Sequence, residues 1–192
     1  MLKSYKKSNC KCNIVGLTEA FKVQNLTFFG GSISDALSDK YDLIINASGR
    51  SVVNIVEANG PAKTMFPSAL KASSTETAII EIDWADGSVP ALGVDFWQGL
   101  VNDLKKIKRK FKVACCCFGG HGRTGTMLSI FAGLFDLADD PVKFIRKRYC
   151  PCAVETYAQI SYIERMTGKE VKAKINTSTF KWWEGGDFNE MY

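Results

Sequence analysis

The sequence predicts an α/β domain: a central, mainly parallel sheet flanked by helices, with a short C-terminal extension. Three observations predict it. Short apolar runs of strand composition alternate with segments whose apolar residues recur at helical spacing. A glycine-rich stretch, Gly119 to Gly125, joins one of those runs directly to a helical segment. The 192 residues, 46% apolar and 23% charged, suffice for one domain with a full core.

The elements follow in order. Tyr41-Asp-Leu-Ile-Ile-Asn46 reads as a buried strand entering a turn. Thr77-Ala-Ile-Ile-Glu-Ile-Asp83 reads as a second strand, leading into the loop Trp84-Ala-Asp-Gly-Ser-Val-Pro90. Between Gly93 and Phe111, Phe96, Leu100, Leu104 and Ile107 recur at helical spacing, and the basic run Lys105 to Lys112 suits a helix C-terminus. Lys112-Val-Ala-Cys-Cys-Cys117 is a third strand. A helix follows from about Thr124 to Leu137. Asp140 as N-cap and Pro141 at the first position start another, ending near Tyr149. Cys150-Pro-Cys152 breaks the chain, and a last helix runs from about Val154 to Met166, stopped by Gly168. Residues 1–168 therefore read as the domain and 169–192 as an extension packed on it. In that extension Val171, Ala173 and Ile175 alternate with polar residues, which suits a short strand; Phe180, Trp182, Trp183 and Gly185-Gly186 come after.

Composition narrows the function. The net charge of +5, from 25 Lys and Arg against 20 Asp and Glu, suits an anionic substrate without arguing for nucleic acid, and no nucleic-acid partner is expected. The N-terminus is basic and polar without an apolar core, so no signal peptide is read. Met127 to Ala138 is too short to span a bilayer. Seven cysteines, three of them consecutive, fit poorly with a secreted disulfide framework and suggest a reducing, cytoplasmic setting. A single histidine, His121, excludes a multi-histidine metal site. Cys10-Lys-Cys12 with Cys150-Pro-Cys152 spaces its thiols too closely for an ordinary four-thiolate zinc site. No metal and no cofactor are expected. The oligomeric state is not legible.

The chemistry concentrates after the third strand, in Cys117-Phe-Gly-Gly-His-Gly-Arg123-Thr124. Gly119, Gly120 and Gly122 let successive N–H groups turn into one concavity, a nest that binds an anion. The helix that follows adds its positive end there. Arg123 supplies a planar fork for two oxygens of a phosphate. Cys117 sits at the mouth of this positive cup, where a thiolate is favoured and nucleophilic. Thr124 is placed to donate a hydrogen bond to the sulfur when it leaves. A phosphorylated hydroxyl needs a proton in order to leave, and a carboxylic acid supplies it. Asp86, in the glycine- and proline-flanked loop after the second strand, is the candidate, with Asp83 the alternative. As a bland alternative, Asp86-Gly87 is a common turn pair.

Cys117-x5-Arg123-Thr124-Gly125 resembles the signature loop of the protein tyrosine phosphatase superfamily, and the form Cys-Phe-Gly-Gly-His-Gly-Arg looks most like the dual-specificity branch, especially the kinase-associated phosphatases. The resemblance covers about Phe28 to Met166. It implies a cysteine-phosphatase fold and a phosphocysteine mechanism on phosphotyrosine and phosphoserine or phosphothreonine of a phosphoprotein partner. Phe118, Gly119, Gly120, His121, Gly122 and Arg123 then hold the phosphate. Trp84 to Pro90 looks like the family's general-acid loop, Phe29 to Leu37 like its early substrate-side segment, and the helix with Gln159 like the segment that positions water for the second step. Two departures bear on function. Cys116 stands where the family usually has histidine, which keeps open a non-catalytic phosphate-binding module; otherwise Cys115 and Cys116 read as small core residues. Phe118 and His121 stand where lipid-acting members often carry lysine, which weakens but leaves open a phosphoinositide, inositol phosphate or RNA 5′-phosphate substrate. Arg146-Lys147-Arg148 reads as a solvated helix end, or else as a basic rim facing substrate.

Overall fold

The computed structural model describes residues 16–51, 62–64 and 77–175. Cys10, Cys12, Phe180, Trp182, Trp183 and Gly185-Gly186 lie outside the described residues. The strands are β1 (Thr18–Val23), β2 (Leu26–Ser32), β3 (Leu43–Asn46), β4 (Ala62–Thr64), β5 (Thr77–Glu81) and β6 (Phe111–Cys117). The helices are α1 (Ile33–Ala36), α2 (Val94–Lys105), α3 (Gly122–Leu134), α4 (Pro141–Arg148) and α5 (Tyr157–Thr167). The strands form one six-stranded sheet in the order β1-β2-β6-β3-β5-β4. Among the described residues only the β1–β2 pairing is antiparallel.

Strand β6 lies between β2 and β3, with Cys115 opposite both Gly30 and Ile45. Its carboxyl end is thus walled by two parallel neighbours, the place where open α/β sheets bind ligands. Alternation along the strand divides the cysteines between two cores. Cys115 and Cys117 join the large cluster beneath α2, α3, α4 and α5, with Trp97, Leu128, Phe131 and Tyr162. Cys116 points to the opposite face, into a small cluster with Ile33, Ala36, Tyr41, Ile44 and Ile79. There its thiol donates to the Ile45 carbonyl at 3.5 Å. Burial pushes both the Cys115 and Cys116 thiols up. Cys116 is therefore a packed core residue on the far side of the sheet from Cys117.

Several boundaries differ from the periodicity, each for a local reason. Helix α2 stops at Lys105, capped by Lys106, well short of the Phe111 that opens β6. Helix α3 begins at Gly122 rather than Thr124, because His121 takes the cap position and its carbonyl accepts from Gly125 N–H at 2.8 Å. Helix α5 begins at Tyr157 rather than Val154. Val154 is left-handed, φ 63°, and Thr156 caps the helix in a capping box with Gln159. The strand expected at Val171, Ala173 and Ile175 does not form. Side chains take its backbone groups instead: Val171 N–H donates to Glu164 Oε1 and Lys172 N–H to Asp140 Oδ2, while the Lys174 carbonyl accepts from Arg146. The three apolar residues still pack on the large core. Strands β1 and β2 are legible only in the structure, since Gly30 and Gly31 interrupt the apolar pattern of β2.

Candidate active site

The loop after β6 is a tight cup. Gly120 has φ 76°, and a Cβ there would lie 2.8 Å from the carbonyl carbon of Gly31, so only glycine fits. Its N–H donates to Cys117 Sγ at 3.2 Å, and its carbonyl accepts from the Tyr149 hydroxyl. Cys117 is 3% exposed. The Thr124 hydroxyl donates to the Gly31 carbonyl at 3.2 Å. In this structure the Thr124 hydroxyl thus meets β2, and the Gly120 amide is the donor on the sulfur. Gly31, in the segment expected on the substrate side, thus supports the loop twice from beneath.

Arg123, in the first turn of α3, is 5% exposed. Its Nη1 donates to the carbonyls of Ala47 at 2.8 Å and Trp84 at 2.9 Å, which fix the plane of the guanidinium. Its Nη2 meets Asp86 Oδ1 at 2.9 Å. Its Nε is buried without a hydrogen-bond partner. The Nε–Nη2 edge has the fork geometry that can take two oxygens of a planar or tetrahedral anion. A buried donor without a partner costs on the order of 1–3 kcal/mol, and such groups call for an explanation by function.

Asp86 and Asp83 are separated by the structure. Asp86 reaches Arg123 with its side chain 83% exposed. Asp83 instead lines a cavity of about 280 Å³ at the ends of β3 and β5, with Asn46, Arg50 and Glu81. The loop bearing Asp86 is tied at both ends: Trp84 Nε1 donates to the Ser88 carbonyl at 2.7 Å, and Thr156 Oγ1 to the Gly87 carbonyl at 3.0 Å.

Gln159, expected to position water, lies beneath the site. It is fully buried. Its Oε1 accepts from the N–H groups of Glu155 at 2.8 Å and Thr156 at 3.3 Å, and its Nε2 has no partner. What it holds in place is Glu155, which composition and spacing did not single out. The Glu155 carboxylate accepts from the Gly122 amide and lies beside Asp86 and Arg123. A Cβ on Gly122 would collide with Glu155 Oε2 and come within 3.2 Å of Gln159 Nε2. Burial, then the charge of Asp86, push the Glu155 carboxyl up. Positive φ at a β-branched residue costs on the order of 1–3 kcal/mol, and Val154 carries that strain next to Glu155. Arg146 braces the turn, Nε to the Ala153 carbonyl and Nη2 to the Val154 carbonyl, both at 2.9 Å. Arg146 thus has a third role, neither solvated end nor substrate rim.

His121 is partly buried, and its Nδ1 lies 3.3 Å from Cys150 Sγ. Burial lowers its pKa. Phe118 is 46% exposed, with the Arg50 guanidinium 4.8 Å from its ring centre. Cys152 is disulfide-bonded. Among the described residues no group of three or more His, Cys, Asp or Glu is arranged to hold a metal, and no helix is long and apolar enough to cross a membrane.

The fold and this cup define a class. Over 84% of this chain and 94% of the other, the chain is similar to the Cydia pomonella PTP-2 phosphatase, with TM-score 0.52 and 14% identity. A human DUSP28 structure matches with TM-score 0.51 and 9% identity, over 80% of this chain and 95% of that one. A leucine-rich-repeat and phosphatase-domain protein of Entamoeba histolytica matches with TM-score 0.51 and 12% identity, over 80% and 91%. The chain has the cysteine-phosphatase fold. No family model matches it. Two uncharacterized proteins of Methanocaldococcus jannaschii are similar over short stretches. One is 44% identical over 57 residues, 30% of this chain and 35% of the relative; the other is 48% identical over 52 residues, 27% and 35%. The chain matches 35% of the length of each of these relatives.

Proposed function

We propose that the chain is a cysteine-dependent phosphatase acting on phosphotyrosine and phosphoserine or phosphothreonine of a phosphoprotein. The observation that carries this is Arg123: buried, fixed by two carbonyls, and with Nε unpartnered beside Cys117's loop. In the proposed first step Cys117 Sγ attacks phosphorus and the S–P bond forms as the ester P–O bond breaks. Asp86 gives its proton to the leaving oxygen. The backbone amides of Phe118 to Gly122 and the fork of Arg123 hold the equatorial oxygens. In the second step water attacks phosphorus, its proton goes to Asp86, and the S–P bond breaks to return the thiolate and inorganic phosphate. Gln159 serves that step through the segment it fixes. The 2.9 Å contact between Asp86 and Arg123 supports Asp86 over Asp83 as the acid.

The test is hydrolysis of an aryl phosphate by wild type and Cys117→Ser. Turnover is expected to fall by about 10⁴-fold or more on loss of the nucleophile. Robust turnover by Cys117→Ser would sink the mechanism. Tight phosphate binding by wild type without turnover would make the chain a binding module instead.

A further inference from the structure

We infer that Asp86 and Glu155 form a two-carboxylate rim that retains one proton when an oxyanion fills the cup, so that anion binding here is coupled to proton uptake. The inference rests on the phosphate reading above and adds to it how the site responds to pH. Two carboxylates occupy donors that an oxyanion needs. Asp86 takes Nη2 of Arg123 at 2.9 Å, and Glu155 takes the Gly122 amide at the start of α3. Neither is there by slack in the chain. Gly122 leaves room for Glu155 that any side chain would fill. Gln159 and Arg146 hold the Glu155 segment from two sides, and Thr156 fastens it to the Asp86 loop through the Gly87 carbonyl.

The charge count then decides. One guanidinium faces two carboxylates. A doubly charged oxyanion entering this cup takes Arg123 and Gly122 from the two carboxylates and leaves them beside its own charge. Like charges packed this closely do not all stay ionised. The cheapest relief is a proton on the rim. Two donors on residues at least nine-tenths buried, Arg123 Nε and Gln159 Nε2, have no partner, and Gln159 Nε2 lies within 3.2 Å of where a Cβ on Gly122 would stand. The groups facing Glu155 are Asp86 from the loop before α2, Arg123 and the Gly122 amide from α3, and the Cys150 thiol after α4. His121, whose ring meets Cys150, is the loop's one histidine and the other candidate to take up a proton.

Sulfate tests this, because it carries no titrating proton of its own between about pH 5 and 7, above the ordinary carboxylate range. Full-length Cys117→Ser is titrated with sulfate by calorimetry in two buffers of different ionisation enthalpy. Affinity is expected to fall by about tenfold per pH unit where one proton is taken up. Adding Glu155→Gln should flatten that slope at least by half and tighten binding at the upper pH. If that variant does not fold, Asp86→Asn, at an exposed side chain, should flatten it likewise. Sulfate binding with a flat slope overturns the inference and leaves the phosphate reading standing. So does a slope that survives Glu155→Gln and Asp86→Asn but vanishes in His121→Ala, which assigns the proton to the imidazole. No sulfate binding at all overturns both.

Discussion

Arg123 and Asp86 are 2.9 Å apart, yet their surroundings are opposite. Arg123 is 6% exposed at its side chain and held by carbonyls from two different loops, whereas Asp86 is 83% exposed and held by the arginine alone through its side chain. The floor of the cup is made from one contiguous stretch, Cys117 to Thr124, locked by Gly120, Tyr149 and Gly31. The rim is made from segments distant in sequence: the Trp84 loop and the Val154–Thr156 turn. A buried, contiguous floor fixes geometry before any ligand arrives, which is what stabilising a charged transition state requires. Asp86, exposed on the rim with one side-chain partner, can change partner and protonation, which is what proton transfer requires.

The largest expected effect breaks the floor. Arg123→Lys keeps the charge and loses the fork, so kcat/KM for an aryl phosphate should fall about 10²- to 10³-fold. The thermal midpoint should fall too, since the Ala47 and Trp84 carbonyls lose their donor. If Lys restores near-wild-type turnover, a point charge suffices and the floor's rigid geometry is not what matters.

A smaller effect is expected at the rim. Asp86→Asn should cost about 10²-fold in kcat on a substrate with a poor leaving group, and little in stability, because its side chain is exposed. An aryl phosphate with an acidic phenol, which needs no proton to leave, should lose much less. Equal losses on both substrates would remove Asp86 from proton transfer and reopen Asp83.

What was legible in the sequence follows the same division. The floor is one run of chain, and its chemistry depends on residue types at fixed spacing, so Cys117, Arg123 and the glycines stood out. Asp86 stood out as a candidate because a loop after a strand is a local pattern. Glu155 was not, because its role depends on Gly122, Gln159 and Asp86, which only the fold brings together. The contact of the Thr124 hydroxyl with Gly31 was not legible for a related reason: Gly31 belongs to β2, and no local signal places β2 under the loop. Cys116 shows the reverse. Strand alternation alone puts it on the opposite face from Cys117, into the cluster with Tyr41 and Ile79. Cys116→Ala should therefore cost about 1–2 kcal/mol in stability and leave kcat/KM nearly unchanged. A large loss of kcat/KM at unchanged stability would give Cys116 a role in the cup after all.

The smallest effect separates rim from floor in a property that needs no substrate. Burial and Asp86 raise the Glu155 carboxyl in the folded chain, whereas in the unfolded chain it titrates near its ordinary value of about 4.3. The folded state then binds the proton more tightly. Its contribution to stability is fully present below the unfolded value and is lost as pH rises through the folded one. Glu155→Gln carries no such proton, so its stability curve should lack that falling limb. The difference between variant and wild type should therefore move in the variant's favour from about pH 4 upward and level off once Glu155 is ionised in the folded state. Thermal midpoints of the two chains at closely spaced pH values measure this directly. Parallel curves would mean that Glu155 ionises as freely in the fold as in solution. The rim would then be no more than a solvated edge around a rigid floor.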